Sequence, residues 1–274
     1  MKKVNSISII LFLILSFWSC GEEQISWELE TNISDLLIVE GIFTNESKVH
    51  QIIISSPMTD PNGDPEMISG ALVTIFVDDK SIRLRENEPG IYETGPNARA
   101  VFSKVYTLYI FYQGKEYYAT TWMIPVSPLD NLSYQKVEGY PNLYMLNLHE
   151  TNDPSMVEIF LDWSHLPAFN GIPPEQTHAR IVYYTVNSID VNEMFKPGKE
   201  IVVFPAGTKV LRKKYSLSAP QENFVRTLMA ETEWRGGSFD VQPGNVITNL
   251  SEGAIGYFSA STVVADSSQI LPLN

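Results

Sequence analysis

Residues 105–121 read VYTLYIFY-QGK-EYYATT, running from Val105 to Tyr112, turning through Gln113-Gly114-Lys115 and returning from Glu116 to Thr121. Two runs rich in aromatic and β-branched residues, joined by a tight glycine-containing connection, predict a β-hairpin. Strand signals continue toward the N-terminus. Gly90-Ile91-Tyr92 opens a short strand after the Pro89-Gly90 turn. Ile82 and Leu84 alternate with Arg83 and Arg85, as in an edge strand with one wet face. In residues 71–77 (ALVTIFV), Ala71, Val73, Ile75 and Val77 alternate with Leu72, Thr74 and Phe76, so both faces carry apolar side chains and a central strand is expected. Residues 50–55 (HQIIIS) and 36–44 (LLIVEGIFT) add two more. About seven short strands in roughly 90 residues predict an antiparallel β-sandwich of immunoglobulin-like or transthyretin-like type over residues 36–125.

Pro125 and Pro128 mark the expected boundary, because proline is poorly tolerated in central strands and restricts the residue before it. Residues 126–274 then read as a second β-rich domain. Its expected strands are 142–149, 157–163, 180–186, 201–204 and 210–215, with one more over 254–264 after a turn that starts at Asn249. The basic run Arg212-Lys213-Lys214 reads as a solvated strand edge that blocks pairing with another chain. Near 219–235 an amphipathic helix is expected. Ser218-Ala219-Pro220-Gln221 has the form of a capping box, Phe224, Val225, Leu228 and Met229 make one apolar stripe, and Gly236-Gly237 ends it. The chain as a whole is therefore expected to be mainly β.

The N-terminus has a different character. Met1-Lys2-Lys3 is basic, residues 7–18 are almost wholly apolar, and FWSCGEE (residues 17–23) follows with the only cysteine of the 274 residues. The apolar run falls short of the roughly 20 residues that cross a bilayer, and it has the layout of a secretory signal. Phe17 is too bulky for an ordinary cleavage site three residues on. Ser19-Cys20 resembles a bacterial lipobox, in which the cysteine takes lipid on its sulfur and becomes the mature N-terminus. This implies a signal peptide over residues 1–19, lipidation at Cys20, and a lipidated tether over 20–35 that anchors the chain to outer-membrane lipid. Gly21-Glu22-Glu23 resembles the export signal that carries lipoproteins of the Bacteroidota to the outer face of the outer membrane.

Composition narrows the partners. Loss of the 19 residues ahead of Cys20, including Lys2 and Lys3, takes the formal charge from −13 to −15. Nucleic acid is a poor partner for such a field. The four histidines, His50, His149, His165 and His178, lie far apart in sequence, and no HExxH, GxSxG or phosphate-loop pattern occurs. No enzyme and no cofactor is expected. Asp60, Asn62, Asp64 and Glu66 imitate the first oxygens of a calcium loop, but Pro65 stands where the turn glycine belongs, so ordinary turn chemistry is the simpler reading and no metal is expected. Trp163, Tyr183, Tyr184 and Trp234 have the chemistry to stack on sugars, although core packing accounts for them more simply.

Residues 242–249 (QPGNVITN) and 253–261 (GAIGYFSAS), with Val39-Glu40-Gly41, Gly70-Ala71 and Gly90-Ile91-Tyr92, resemble a Bacteroidota lipoprotein family catalogued as domain of unknown function 4249. The resemblance covers nearly all of the mature chain and carries no catalytic residues. It implies a transport accessory role beside a TonB-dependent receptor, by association only. The expected function is a non-catalytic surface lipoprotein that helps such a transporter capture or retain its ligand. The alternative is a free-standing adhesin or glycan-binding module.

Overall fold

The computed structural model describes residues 36–58, 63–149, 153–186, 201–232 and 246–273. The chain is mainly β. Its first nine strands are β1 (Leu37–Thr44), β2 (Gln51–Ser55), β3 (Leu72–Val77), β4 (Lys80–Arg83), β5 (Arg85–Glu88), β6 (Ile91–Glu93), β7 (Val105–Tyr112), β8 (Lys115–Trp122) and β9 (Tyr134–Val137). There follow β10 (Tyr140–Leu146), β11 (Ser155–Asp162), β12 (His178–Thr185), β13 (Val203–Pro205), β14 (Lys209–Ser216), the helix α1 (Ala219–Thr232), β15 (Ala254–Ser261) and β16 (Val263–Gln269).

The hairpin of β7 and β8 turns on two residues. Gln113 and Gly114 both take positive φ, 50° and 78°, the turn whose twist matches that of the flanking strands. It belongs to a four-stranded sheet ordered β4-β3-β7-β8, which faces a five-stranded sheet ordered β15-β1-β2-β6-β5. The inner faces share one core, with Val39, Phe43, Ile54 and Phe258 from one sheet and Ile75, Leu108 and Ile110 from the other. The expected edge strand around Ile82–Arg85 is divided between the two sheets. Leu84 turns into the core and its amide donates to the Val73 carbonyl at 3.0 Å, so β4 ends in one sheet and β5 begins in the facing one.

A second sandwich follows. β12-β11-β14-β16 packs on β13-β10-β9 around Val157, Ile159, Leu161, Ile181, Phe204 and Tyr144. The strand β9 was not expected, because YQKV offers only a short and mostly polar pattern.

The expected division into 36–125 and 126–274 fails at the C-terminus. β15 pairs in parallel with β1, from Leu37 opposite Ala254 to Thr44 opposite Ser261, and gives Ala254, Phe258 and Ala260 to the first core. A parallel pair needs a long crossover; here β2 to β14 and α1 all lie between the two strands in the chain. The single strand expected over 254–264 is therefore two strands. Past Thr262, β16 joins the second sandwich antiparallel to β14. Gly256 makes the parallel contact possible: its φ is 111°, and a Cβ there would lie 2.1 Å from the Val39 carbonyl oxygen.

The basic run is also misplaced by the sequence reading. β14 is an interior strand between β11 and β16, so Arg212 and Lys214 are buried rather than on a wet edge. Lys214, 1% exposed, bonds Asp153 at 2.7 Å and Ser127 Oγ at 2.5 Å. Lys213 pairs with Glu46 at 2.6 Å, and Arg212 with Asp266. Ser127 lies in the Pro125–Pro128 linker and Glu46 follows β1, so these pairs fasten the first sandwich and the linker to the second. Asn45 adds a reciprocal bond with the Val263 backbone, donating at 3.3 Å and accepting at 2.7 Å.

α1 lies over β15, with Phe224 and Tyr257 ring centroids 5.0 Å apart. Its first backbone bond runs from the Glu222 amide to the Ser218 carbonyl at 2.8 Å. The capping box does not close, because Gln221 Oε1 has no hydrogen-bond partner and the Ser218 hydroxyl bonds Tyr257. Gly236-Gly237 lies outside the described residues.

Candidate functional site

The outward side chains of the hairpin and its neighbour define the site. Because side chains alternate across a strand, β3 turns out Leu72, Thr74 and Phe76, β7 turns out Val105, Thr107, Tyr109 and Phe111, and β8 turns out Glu116, Tyr118, Thr120 and Trp122. Strand register sets them in rows: Leu72, Phe111 and Glu116; Thr74, Tyr109 and Tyr118; Phe76, Thr107 and Thr120; then Val105 and Trp122. Tyr118 is 58% exposed, and Phe76 and Trp122 are each 44% exposed. β3 is the central strand expected, lying between β4 and β7, with apolar side chains on both faces; Val73 and Ile75 face the core, while Leu72 and Phe76 meet solvent.

The face is preorganised by its own contacts. Phe76 meets Tyr109 edge-on with centroids 6.2 Å apart, and the Thr107 and Thr120 hydroxyls lie 3.3 Å apart. The Tyr109 hydroxyl donates to Glu116 at 2.9 Å, and that carboxylate holds the phenol above its ordinary pKa. At the Leu72 end the face runs into a shallow groove of about 540 Å3 lined by Arg83, Arg85 and Glu86.

Neither edge of the sheet invites a new strand. β4 is short and carries Lys80 and Arg83. The β8 edge is occupied: the Ser251 amide donates to the Tyr118 carbonyl at 2.9 Å, the Tyr118 amide to Ser251 Oγ at 3.1 Å, and Asn249 Nδ2 to the Thr120 carbonyl at 3.3 Å. A partner must therefore meet this sheet on its flat aromatic face.

The residues singled out from sequence fall elsewhere. Cys20, Gly21, Glu22 and Glu23 lie outside the described residues, as do Asp60 to Asn62 and Trp234; Asp64 and Glu66 are exposed. His149, His165 and His178 are exposed. His50 is buried at the start of β2, with Nε2 2.9 Å from Thr44 Oγ1. Burial, and next the Lys48 charge, lower its pKa to about 4. Among the described residues no group of three or more His, Cys, Asp and Glu side chains is placed to hold a metal ion, and no helix is long and apolar enough to cross a membrane. Trp163 and Tyr183 belong to the second core. The aromatic face was missed as a site, although the alternation over 105–122 contained the signal: the outward positions of two adjacent strands include Tyr109, Phe111, Tyr118 and Trp122.

The class defined by this architecture is a double β-sandwich closed by a C-terminal strand, with one aromatic sheet face open to solvent. The chain belongs to the family described as Domain of unknown function (DUF4249), which it matches over residues 22–267. No curated protein matches it.

Proposed function

We propose that the chain is a non-catalytic lipoprotein, anchored through Cys20 at the outer membrane and facing the cell exterior. There it docks on a TonB-dependent transporter and aids capture or retention of the transporter's ligand. The observation that carries this reading is the aromatic face of β3, β7 and β8. Aromatic residues are enriched at protein interfaces, and an exposed apolar patch on an ordered scaffold is the usual mark of a contact surface. Confinement of both partners to one membrane raises their effective concentration, so a modest interface suffices.

Two measurements test the proposal. The chain should take up metabolic acyl label, and Cys20→Ala should abolish that label; retained labelling in the variant removes the anchor. In mild detergent the chain should co-purify with a TonB-dependent receptor, and Tyr118→Ser with Trp122→Ser should reduce recovery at least tenfold.

A second reading is an adhesin or glycan-binding module. The groove beside Leu72 favours it, since Arg83, Arg85 and Glu86 supply hydrogen-bonding groups one strand away from the exposed ring of Phe111, the ladder partner of Leu72. Binding of the purified chain to a polysaccharide, with no outer-membrane receptor recovered, would replace the first reading with the second.

A further inference from the structure

On the opposite side of the first sandwich, α1 roofs the β1–β15 pair only in part. The gap is a half-open groove of about 450 Å3, within the range that admits a small organic ligand. Ile38, Ile42 and Ile255 form its floor and Phe224, Val225 and Leu228 its roof; Met156 and Tyr184 reach in from the second sandwich. The walls are thus overwhelmingly apolar. Their polar exceptions are specific.

Gln221 and Ser259 line the groove, are 7% and 1% exposed, and leave Gln221 Oε1 and Ser259 Oγ without hydrogen-bond partners. A buried polar atom left unpaired costs roughly 1–3 kcal/mol, and folded proteins retain few of them. Both orphans border the same groove. Glu40, exposed at its rim, is the single charged side chain among the described lining residues. The Gln221 oxygen and the Glu40 carboxylate accept from a donor, the Ser259 hydroxyl can accept or donate, and no cation stands among the described lining residues to attract a ligand carboxylate or phosphate, so the set favours a donor head.

We propose that this groove binds a small apolar molecule carrying an amine head, with the body between the isoleucine floor and α1 and the head directed to Gln221, Ser259 and Glu40. A small χ rotation of Gln221 or Ser259 would bring its oxygen to the ligand. This site lies apart from the aromatic face, and the inference stands whether or not the chain docks on a transporter.

The test uses residues 20–274 with Cys20→Ser, which retain the whole compact unit from residue 35 onward. Octylamine, octanol and octanoate, matched in chain length, are titrated below their aggregation concentrations by calorimetry. Octylamine should bind saturably and at least tenfold more tightly than octanoate, with octanol between them. Glu40→Gln, at an exposed position, should narrow the amine-to-carboxylate ratio to less than threefold. Gln221→Leu removes an orphaned acceptor, so it should melt no lower than the parent while weakening octylamine several-fold and sparing octanol's apolar contribution. Leu228→Trp should fill the roof and eliminate binding of all three. Absence of saturable octylamine binding, octanoate binding as tight as octylamine, or full octylamine affinity in a folded Leu228→Trp variant would each overturn the proposal.

Discussion

The outer face of β3, β7 and β8 leaves Phe76, Tyr118 and Trp122 in water, whereas β14 in the other sandwich draws Lys214 and Arg212 out of it. The apolar side chains of the first are uncovered because nothing among the described residues packs on that face. The charged side chains of the second are covered because β14 is flanked by β11 and β16 and paired with Asp153, Glu46 and Asp266. Burial in this molecule follows from which sheet faces which, and polarity decides only what must accompany it. A buried ammonium demands partners; an exposed ring demands none and is free for contact.

Removing a partner on the covered side should have the largest effect. Burial alone would raise the Asp153 pKa, but the Lys214 ammonium and the Ser127 hydroxyl and amide outweigh it and hold the carboxyl below its ordinary value. Asp153→Ala strands the Lys214 charge in the interior, and breaking a buried pair in this way costs about 3–5 kcal/mol. Lys214→Met should cost less than half as much, because Asp153 is partly exposed and keeps Ser127. Urea denaturation of both variants checks the asymmetry, and equal losses would show that Lys214 is not the group that needs the pairing.

The first sandwich has a buried titratable group of its own, with a smaller effect and a defined pH window. His50 is held neutral in the fold, with a pKa of about 4 against 6.5 when unfolded. Between those values the unfolded chain binds more protons than the folded one, so stability is complete above about pH 6.5 and is lost as pH falls toward 4. The ceiling on this loss is about 3 kcal/mol. His50→Gln should flatten the stability profile across that window by up to one proton. Glu46, whose pKa burial raises but Lys213 and Lys48 lower by more, shifts in the same direction at lower pH: its contribution is present above about pH 4.5 and is lost as pH falls below it, outside most of the histidine window. An unchanged slope from pH 6.5 to 5 in the variant would remove His50 as the cause.

The hairpin, the strands and the helix were legible because alternation, turn residues and an apolar stripe are local signals. The mainly β class followed from them. What local signals do not contain is the partner of each strand. Residues 254–261 look like any other half-apolar strand, and nothing near them in sequence says that they lie beside β1, more than 200 residues away. Likewise Arg212-Lys213-Lys214 reads as wet until Asp153, Glu46 and Asp266 are brought to it from three other parts of the chain. The same limit hid the groove: Gln221 and Ser259 are ordinary cap and strand residues in sequence, and their unpaired oxygens exist only once α1 lies over β15.

The smallest effect on stability should come from the aromatic face, and there the comparison is sharpest. Tyr118 and Trp122 already keep about half of their surface in water, so truncation returns little apolar area to solvent. Surface changes of this kind usually stay within about 0.5 kcal/mol, and an aromatic cross-strand neighbour adds at most about 1 kcal/mol more. Tyr118→Thr and Trp122→Thr keep good strand formers in place, so the doubly substituted chain should unfold within about 2 kcal/mol of the parent. If the face exists for contact, that nearly intact protein should still lose its receptor or polysaccharide partner. A large stability loss would instead mean that the rings support the sheet, and an intact fold with intact partner binding would move the contact surface elsewhere. Asp153→Ala supplies the opposite control: at a temperature where it remains folded it should bind as the parent does, because the Asp153–Lys214 pair braces the second sandwich against the linker at Ser127 and includes no residue of the aromatic face.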